Sequence, residues 1–291
     1  MALWWLSVRG ACAMTRILVL SGGGSRGAWQ AGWLRAQSGE YAAIYGVSVG
    51  AINAVRVAQH RTVEAAAKAL EFDWLNTSTA NVLASWPVGV ASAAVEGSLY
   101  STTPLAAMLR RRIVERALVH PVTVFATSLA TGGLARFAVT GSPERDVRAL
   151  LASAAFPGAM PSVEIDGDRY YDGGLQRVVP LVEALLDHYQ ADEIDVAICD
   201  DPSSSLDAIH PHGGLRGLLR AVDVATHDRA RTDLLAARAE WDSLPTRPRV
   251  RLWWPTKQHI ADVMDFAPAL TERALRQGYE DGQRGPCEVW G

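Results

Sequence analysis

The chain predicts an α/β fold on a mainly parallel sheet covered on both faces, and three observations carry that expectation. Apolar runs of strand length alternate with longer helix-like segments along most of the 291 residues, the order that parallel strands and crossover helices produce. Many runs are apolar at nearly every position, as strands buried on both faces require. A hydrophobic share of 49% against 20% charged supplies a sizeable core.

The first strand begins at Arg16 and runs Ile17-Leu18-Val19-Leu20 into the turn Ser21-Gly22-Gly23-Gly24-Ser25-Arg26-Gly27, and Ala28–Ala36 continues as a helix. A second strand and turn follow at Ala43-Ile44-Tyr45-Gly46-Val47-Ser48-Val49-Gly50. Val49–Gln59 then reads as a short apolar helix and Thr62–Leu75 as an amphipathic one rich in alanine. Asn76–Ser101 loses periodicity, and Thr103-Pro104 opens a helix to about Ala117, with Thr103 as N-cap and the proline at the first helical position. Val122–Ser128 and Ala135–Thr140 flank Thr131-Gly132-Gly133 as a hairpin. Ser142-Pro143-Glu144 starts a helix that stops before Phe156-Pro157-Gly158. Val163–Ile165 and Arg169–Tyr171 flank a second hairpin turn, Asp166-Gly167-Asp168, and lead into Asp172-Gly173-Gly174. A helix from Pro180, a strand Ile194–Cys199, a long helix within Leu215–Ala239, a strand Val250–Trp254 and a C-terminal helix complete the pattern.

No Pro/Ser/Gly-rich linker and no repeat divides the chain, so residues 14–291 are expected to form one domain behind an N-terminal extension, residues 1–13. The apolar start Met1–Leu6 is broken by Arg9, too short for a signal peptide and far too short to span a bilayer. Cys12, Cys199 and Cys287 are odd in number and widely spaced, which suits a reducing compartment, and a cytoplasmic location is expected. A net charge of −3 gives no basic field for nucleic acid. No carboxylate cluster has metal-loop spacing, so no metal or other cofactor is expected.

Two glycine-framed turns carry the chemistry. Gly46-Val47-Ser48-Val49-Gly50 is a G-x-S-x-G pattern, suited to a serine on a strained strand-to-helix elbow. With 25 Gly and 18 Ser in the chain, composition alone yields that pattern roughly one time in eight, whereas the Gly-Gly-Gly-x-Arg-Gly run arises on the order of one time in a thousand. Glycines let backbone N–H groups converge on one point. A nucleophile and an anion hole are the minimum equipment for acyl transfer.

Ser48 needs a base. His188, His210, His212, His227 and His259 follow it in the chain, as a Ser-His-Asp esterase would require, but none sits in a glycine-framed turn at a strand end. Asp172 does, and a buried aspartate gains the basicity that an exposed one lacks. A non-catalytic binding module on the same fold is the remaining alternative.

The blocks Gly22–Gly27 with Gly32, Gly46–Gly50 and Asp172-Gly173-Gly174 resemble the three signature blocks of patatin-like phospholipases. Ser101-Thr102-Thr103-Pro104-Leu105 and Ala152-Ser153-Ala154-Ala155-Phe156-Pro157 resemble the segments between them, so the likeness covers roughly Arg16 to Pro180. The resemblance implies a three-layer α/β/α fold and hydrolysis of fatty-acyl esters of phospholipids or related lipids by a Ser–Asp dyad without histidine. It assigns Ser48 as nucleophile, Asp172 as proton acceptor, and the backbone of Gly23, Gly24 and Ser25 as oxyanion hole. Gly22, Arg26, Gly27, Gly46, Gly50, Gly173 and Gly174 support those blocks, Arg26 in an orienting role whose bland counterpart is a surface salt bridge.

Two departures stand out. Gln176-Arg177-Val178-Val179-Pro180 has valine where the family usually has asparagine, which is expected to loosen the aspartate loop, and Met160 stands where an aromatic is common. Among the ten tryptophans, Trp74 and Trp86, with Val88–Val95, are candidates for an apolar cap or a membrane-touching edge, and a core role competes for each. A lipid ester substrate with peripheral membrane contact is therefore the expected partner.

Overall fold

A computed structural model of the chain describes residues 14–85, 98–204, 214–257 and 263–291. Residues 1–13, Trp86 and Val88–Val95, and His210, His212 and His259 lie outside the described residues.

Parallel pairing joins β1 (Arg16–Leu20), β2 (Ala43–Val47), β9 (Glu193–Ala197) and β10 (Arg249–Trp253), and β2 also pairs parallel with β5 (Val122–Ser128). Antiparallel strands finish the two ends: β11 (Glu288–Trp290) beside β10, and β6 (Leu134–Val139), β8 (Asp168–Asp172) and β7 (Val163–Ile165) around β5. The sheet runs β11-β10-β9-β1-β2-β5-β8-β7, with β6 on β5.

The two-residue period of the strands sorts their side chains into two cores. Leu18, Leu20, Ile44, Val122, Val124 and Ala126 face one; Ile17, Val19, Tyr45, Val47, Phe125 and Ile194 face the other. The first core is covered by α1 (Gly27–Leu34), α2 (Val49–Ala58), α3 (Val63–Leu75), α5 (Thr103–Glu115), α6 (Pro143–Ala154) and α9 (Pro268–Arg284). The second is covered by α7 (Leu181–His188) through Leu181 and Leu185, and by α8 (Gly214–Ser243) through Ala230, Ala237 and Trp241. This is a three-layer α/β/α arrangement, as the sequence predicts.

Local signals set several boundaries. Thr62 caps α3 by accepting the Ala65 N–H at 3.3 Å. At α5 the cap is Thr102 instead of Thr103, one residue earlier than expected, because Thr103 already has helical geometry ahead of Pro104. The stretch expected to lack structure, Asn76–Ser101, holds the short α4 (Thr79–Val82) and a two-stranded ribbon of β3 (Ala84–Ser85) and β4 (Tyr100–Ser101). Trp29, Trp33, Trp74, Trp241, Trp253 and Trp290 are all buried, so these six serve the cores.

Candidate active site

Ser48 sits where β2 ends and α2 begins, with φ 56° and ψ −127°. A non-glycine residue in that region holds on the order of 1–3 kcal/mol of backbone strain and persists only where surroundings impose it. Here they do. A Cβ at Gly46 would lie 2.4 Å from the Gly50 carbonyl oxygen, and one at Gly50 would lie 2.3 Å from that of Leu20. The two glycines of the motif thus let the elbow close on itself and on the end of β1. The Ser48 N–H donates to Ser153 Oγ at 2.9 Å, which fixes the turn from α6.

Asp172 arrives by strand register. β2 pairs with β5 as far as Val47 opposite Phe125, and the next residue of β5, Ala126, pairs with Asp172 at the end of β8. Because β6 occupies the other edge of β5, β8 continues the edge that β2 leaves. The aspartate therefore lies beside the serine elbow, although 124 residues separate them in the chain. Its N–H donates to the Ala155 carbonyl at 2.9 Å, and its own carbonyl accepts from Thr127 Oγ1 at 2.9 Å.

The Asp172 carboxylate accepts the Gly174 N–H at 2.7 Å, and the neighbouring Ser48 hydroxyl also favours its charged form. Burial nevertheless dominates and pushes its pKa up from 3.8 to about 6.

The glycine turn after β1 packs against the serine: a Cβ on Gly22 would lie 3.3 Å from Ser48 Cβ. Gly24 has φ 57°, and a Cβ there would meet the Val263 carbonyl oxygen at 2.0 Å, so glycine is demanded twice over. The Ser25 N–H donates to that same carbonyl at 2.9 Å. This corrects the expectation for Ser25, whose amide is already engaged; among the described residues no carbonyl takes the N–H of Gly23 or Gly24.

Arg26 makes the salt bridges suspected of it, but they are buried instead of superficial. Its side chain reaches Asp200 at 3.1 Å and Asp223 at 2.9 Å and anchors the turn Gly24–Arg26 to β9's end and to α8. Gly27 begins α1 and Gly173 and Gly174 form the turn after Asp172, so all three signature blocks meet at one place.

Several supporting residues carried no recognisable sequence signal. Asp233 on α8 is fully buried and accepts the N–H groups of Val178 at 2.7 Å and Val179 at 3.0 Å while pairing with Arg177 at 3.0 Å. The Val178 carbonyl in turn accepts the Gly22 N–H at 3.0 Å. The loop with valine in place of asparagine is thus pinned from a distant helix and linked to the glycine turn. A buried amide chain props that turn from the other side: Gln30 donates to the Ser21 carbonyl, Asn53 to Gln30, and Trp74 to Asn53.

Of the histidines, His227 alone among the described residues lines the same cavity as Ser48. Its ring nitrogens face Asp200 Oδ2 at 3.2 Å and the Ser204 carbonyl at 3.1 Å, so neither is turned to the serine. His188 packs edge-on to Tyr45, whose side chain lies in the second core.

Ser48, Asp172 and the glycine turn open onto a cavity of about 120 Å³. Its walls on the first-core side are apolar, with Ile52, Leu70, Leu105, Met108, Phe156 and Phe266 among them. A half-buried serine beside a buried carboxylate, a nearby N–H cradle and an apolar chamber suit the transfer of an acyl chain.

Among the described residues no helix is long and apolar enough to cross a membrane, and no cluster of His, Cys, Asp and Glu is arranged to hold a metal.

Comparison with known proteins bears on this arrangement. Among solved structures, the crystal structure of VipD from Legionella pneumophila aligns with a TM-score of 0.47 and 14% identity, covering 94% of this chain and 67% of that one. No curated protein sequence matches. The family model for patatin-like phospholipase matches residues 18–185, from β1 through the serine elbow, the aspartate turn and into α7. With more than half of its length matched, the chain belongs to the patatin-like phospholipase family, whose general activity is lipid acyl hydrolysis.

Proposed function

We propose that the protein hydrolyses fatty-acyl esters of phospholipids or related lipids, with Ser48 as nucleophile and Asp172 as its base. The observation that carries this reading is the strained Ser48 set beside a buried carboxylate at the mouth of one cavity, its pKa raised to about 6. A carboxylate near pKa 6 is a far better proton acceptor than one at 3.8, yet is still mostly ionised at neutral pH.

In the first step Asp172 takes the proton of Ser48 Oγ as that oxygen bonds to the ester carbonyl carbon. The N–H groups of Gly23 and Gly24 stabilise the oxyanion, and the α2 N-terminus adds a favourable dipole. Asp172 then gives its proton to the departing alkoxide, leaving the acyl group on Ser48. A water loses a proton to Asp172 and attacks the acyl carbon; the proton returns to Ser48 Oγ as the fatty acid leaves. Arg26, held by Asp200 and Asp223, keeps the cradle in register and plays no part in proton transfer.

The same reading places the protein in the cytoplasm, meeting its substrate at a membrane surface without spanning it. The free Cys199 and Cys287 support a reducing compartment.

The test is hydrolysis of a short p-nitrophenyl ester by wild type, Ser48→Ala, Asp172→Asn and His227→Ala, with fluorophosphonate labelling of each. Loss to background in the first two variants, with His227→Ala within about tenfold of wild type, supports the dyad. A dead His227→Ala beside an active Asp172→Asn overturns it. A wild type that neither turns over nor labels points to a binding module.

A further inference from the structure

The cavity beside Ser48 has a charged end. Three helices wall its apolar side, each presenting residues at helical spacing: Val49, Ile52 and Asn53 from α2, Leu70 and Trp74 from α3, Leu105 and Met108 from α5. Each stripe also carries an ionic residue. Arg56 continues the α2 stripe, Asp73 lies between Leu70 and Trp74, and Arg112 follows Met108. Arg56 Nε lies 2.8 Å from Asp73 Oδ2, and Arg112 lies 3.3 Å from Asp73 Oδ1. All three side chains are mostly buried, and Asp73 and Arg112 line the cavity itself.

Resting on the hydrolase reading above, we infer that the Arg56–Asp73–Arg112 cluster is the stop that limits the acyl chain, and that the enzyme prefers acyl groups of about six to ten carbons. Methylenes are stabilised against Ile52, Leu70, Leu105 and Met108, but beyond them an acyl chain would have to displace buried charges from their partners, which is strongly unfavourable.

Length and volume agree. Ser48 and Arg56 are eight residues apart along α2, about 12 Å at 1.5 Å per residue. An extended hydrocarbon with bonds of about 1.5 Å advances roughly 1.25 Å per carbon, so that span holds about ten carbons at most. The arginine side chain leans back toward the helix N-terminus and shortens the usable length. The 120 Å³ cavity is slightly smaller than a cavity of about 150 Å³ that admits benzene, which favours the lower end of the range.

The experiment is a chain-length series of p-nitrophenyl esters, from about four to sixteen carbons in one nonionic detergent, with wild type, Arg112→Met, Arg112→Lys and Ser48→Ala. In wild type kcat/KM is expected to rise by up to about fourfold per added methylene until roughly six to ten carbons, and to gain nothing beyond. Arg112→Met, which removes the charge and keeps the bulk, moves that break at least two carbons longer, whereas Arg112→Lys leaves it in place. The wild-type profile alone decides the matter if Arg112→Met does not fold. A serine-dependent wild type that still gains from ten to sixteen carbons, or a break that Arg112→Met does not move, overturns the stop and leaves the hydrolase reading standing. A Ser48→Ala protein as active as wild type on every ester overturns the hydrolase reading itself.

Discussion

Replacing Asp172 by asparagine separates what this carboxylate does for chemistry from what it does to stability. Burial raises its pKa from 3.8 in an ordinary aspartate to about 6 in the folded chain. At about 1.4 kcal/mol per tenfold, ionised Asp172 disfavours the folded state by about 3 kcal/mol. Since the folded pKa lies above the unfolded one, stability is unaffected below about pH 4 and falls as pH rises through about 6. Asparagine is neutral throughout; its Oδ1 accepts the Gly174 N–H and its amide donates to Ser48 Oγ. Asp172→Asn is therefore expected to be inactive and more stable than wild type, by up to about 3 kcal/mol near pH 7.5 and under about 1 kcal/mol near pH 4. Asp233, also raised to about 6 by burial, titrates in both proteins and cancels from the difference. Urea unfolding of both proteins across this pH range, with ester turnover on the same samples, is the assay. A stability gap that does not change with pH, or a less stable variant at pH 7.5, refutes the assignment of a buried, proton-accepting Asp172.

Other outcomes follow from the same geometry. The wild-type rate should fall as pH drops through about 6, because protonated Asp172 cannot accept the Ser48 proton; a limb near 4 in kcat against pH would contradict this. Ser48→Gly should be inactive yet about 1 kcal/mol more stable than Ser48→Ala by thermal unfolding, since glycine tolerates φ 56°. Gly24→Ala places a Cβ 2.0 Å from the Val263 oxygen, and the displaced cradle should lower kcat by about 10²–10³. Asp233→Ala leaves the Val178 and Val179 amides and Arg177 without their buried acceptor, and urea unfolding should show a loss of about 3–5 kcal/mol.

The site was legible in the sequence where chemistry is local. Gly46 and Gly50 frame Ser48 because the elbow admits no Cβ at either place, and Gly24 carries both a positive φ and a backbone contact. A positive φ or a contact that admits no Cβ fixes the residue type at one position, so it leaves a motif even where the contact, as for Gly24 with Val263, is distant in the chain. Strand runs such as Ile17–Leu20 and Ile194–Ala197 were equally plain, because both their faces are buried. β11, with three residues, is too short to show a period, and β10 alone gives it a place.

Tertiary structure decided what distance along the chain conceals. The sequence by itself determined the layered α/β fold, the serine elbow, the glycine turn and the candidate aspartate. Only the sheet register brought Asp172 beside Ser48, through adjacent residues of β5. Only packing committed the Ser25 amide to Val263, hung the aspartate loop on Asp233 and buried Arg26 between Asp200 and Asp223. The same is true of Arg56, Asp73 and Arg112, three ordinary charged residues on three helices until folding pairs them, with Asp73 and Arg112 lining the cavity beside Ser48. A hydrogen bond or ion pair between distant segments imposes no spacing on either segment, so its partners become visible only when the fold joins them.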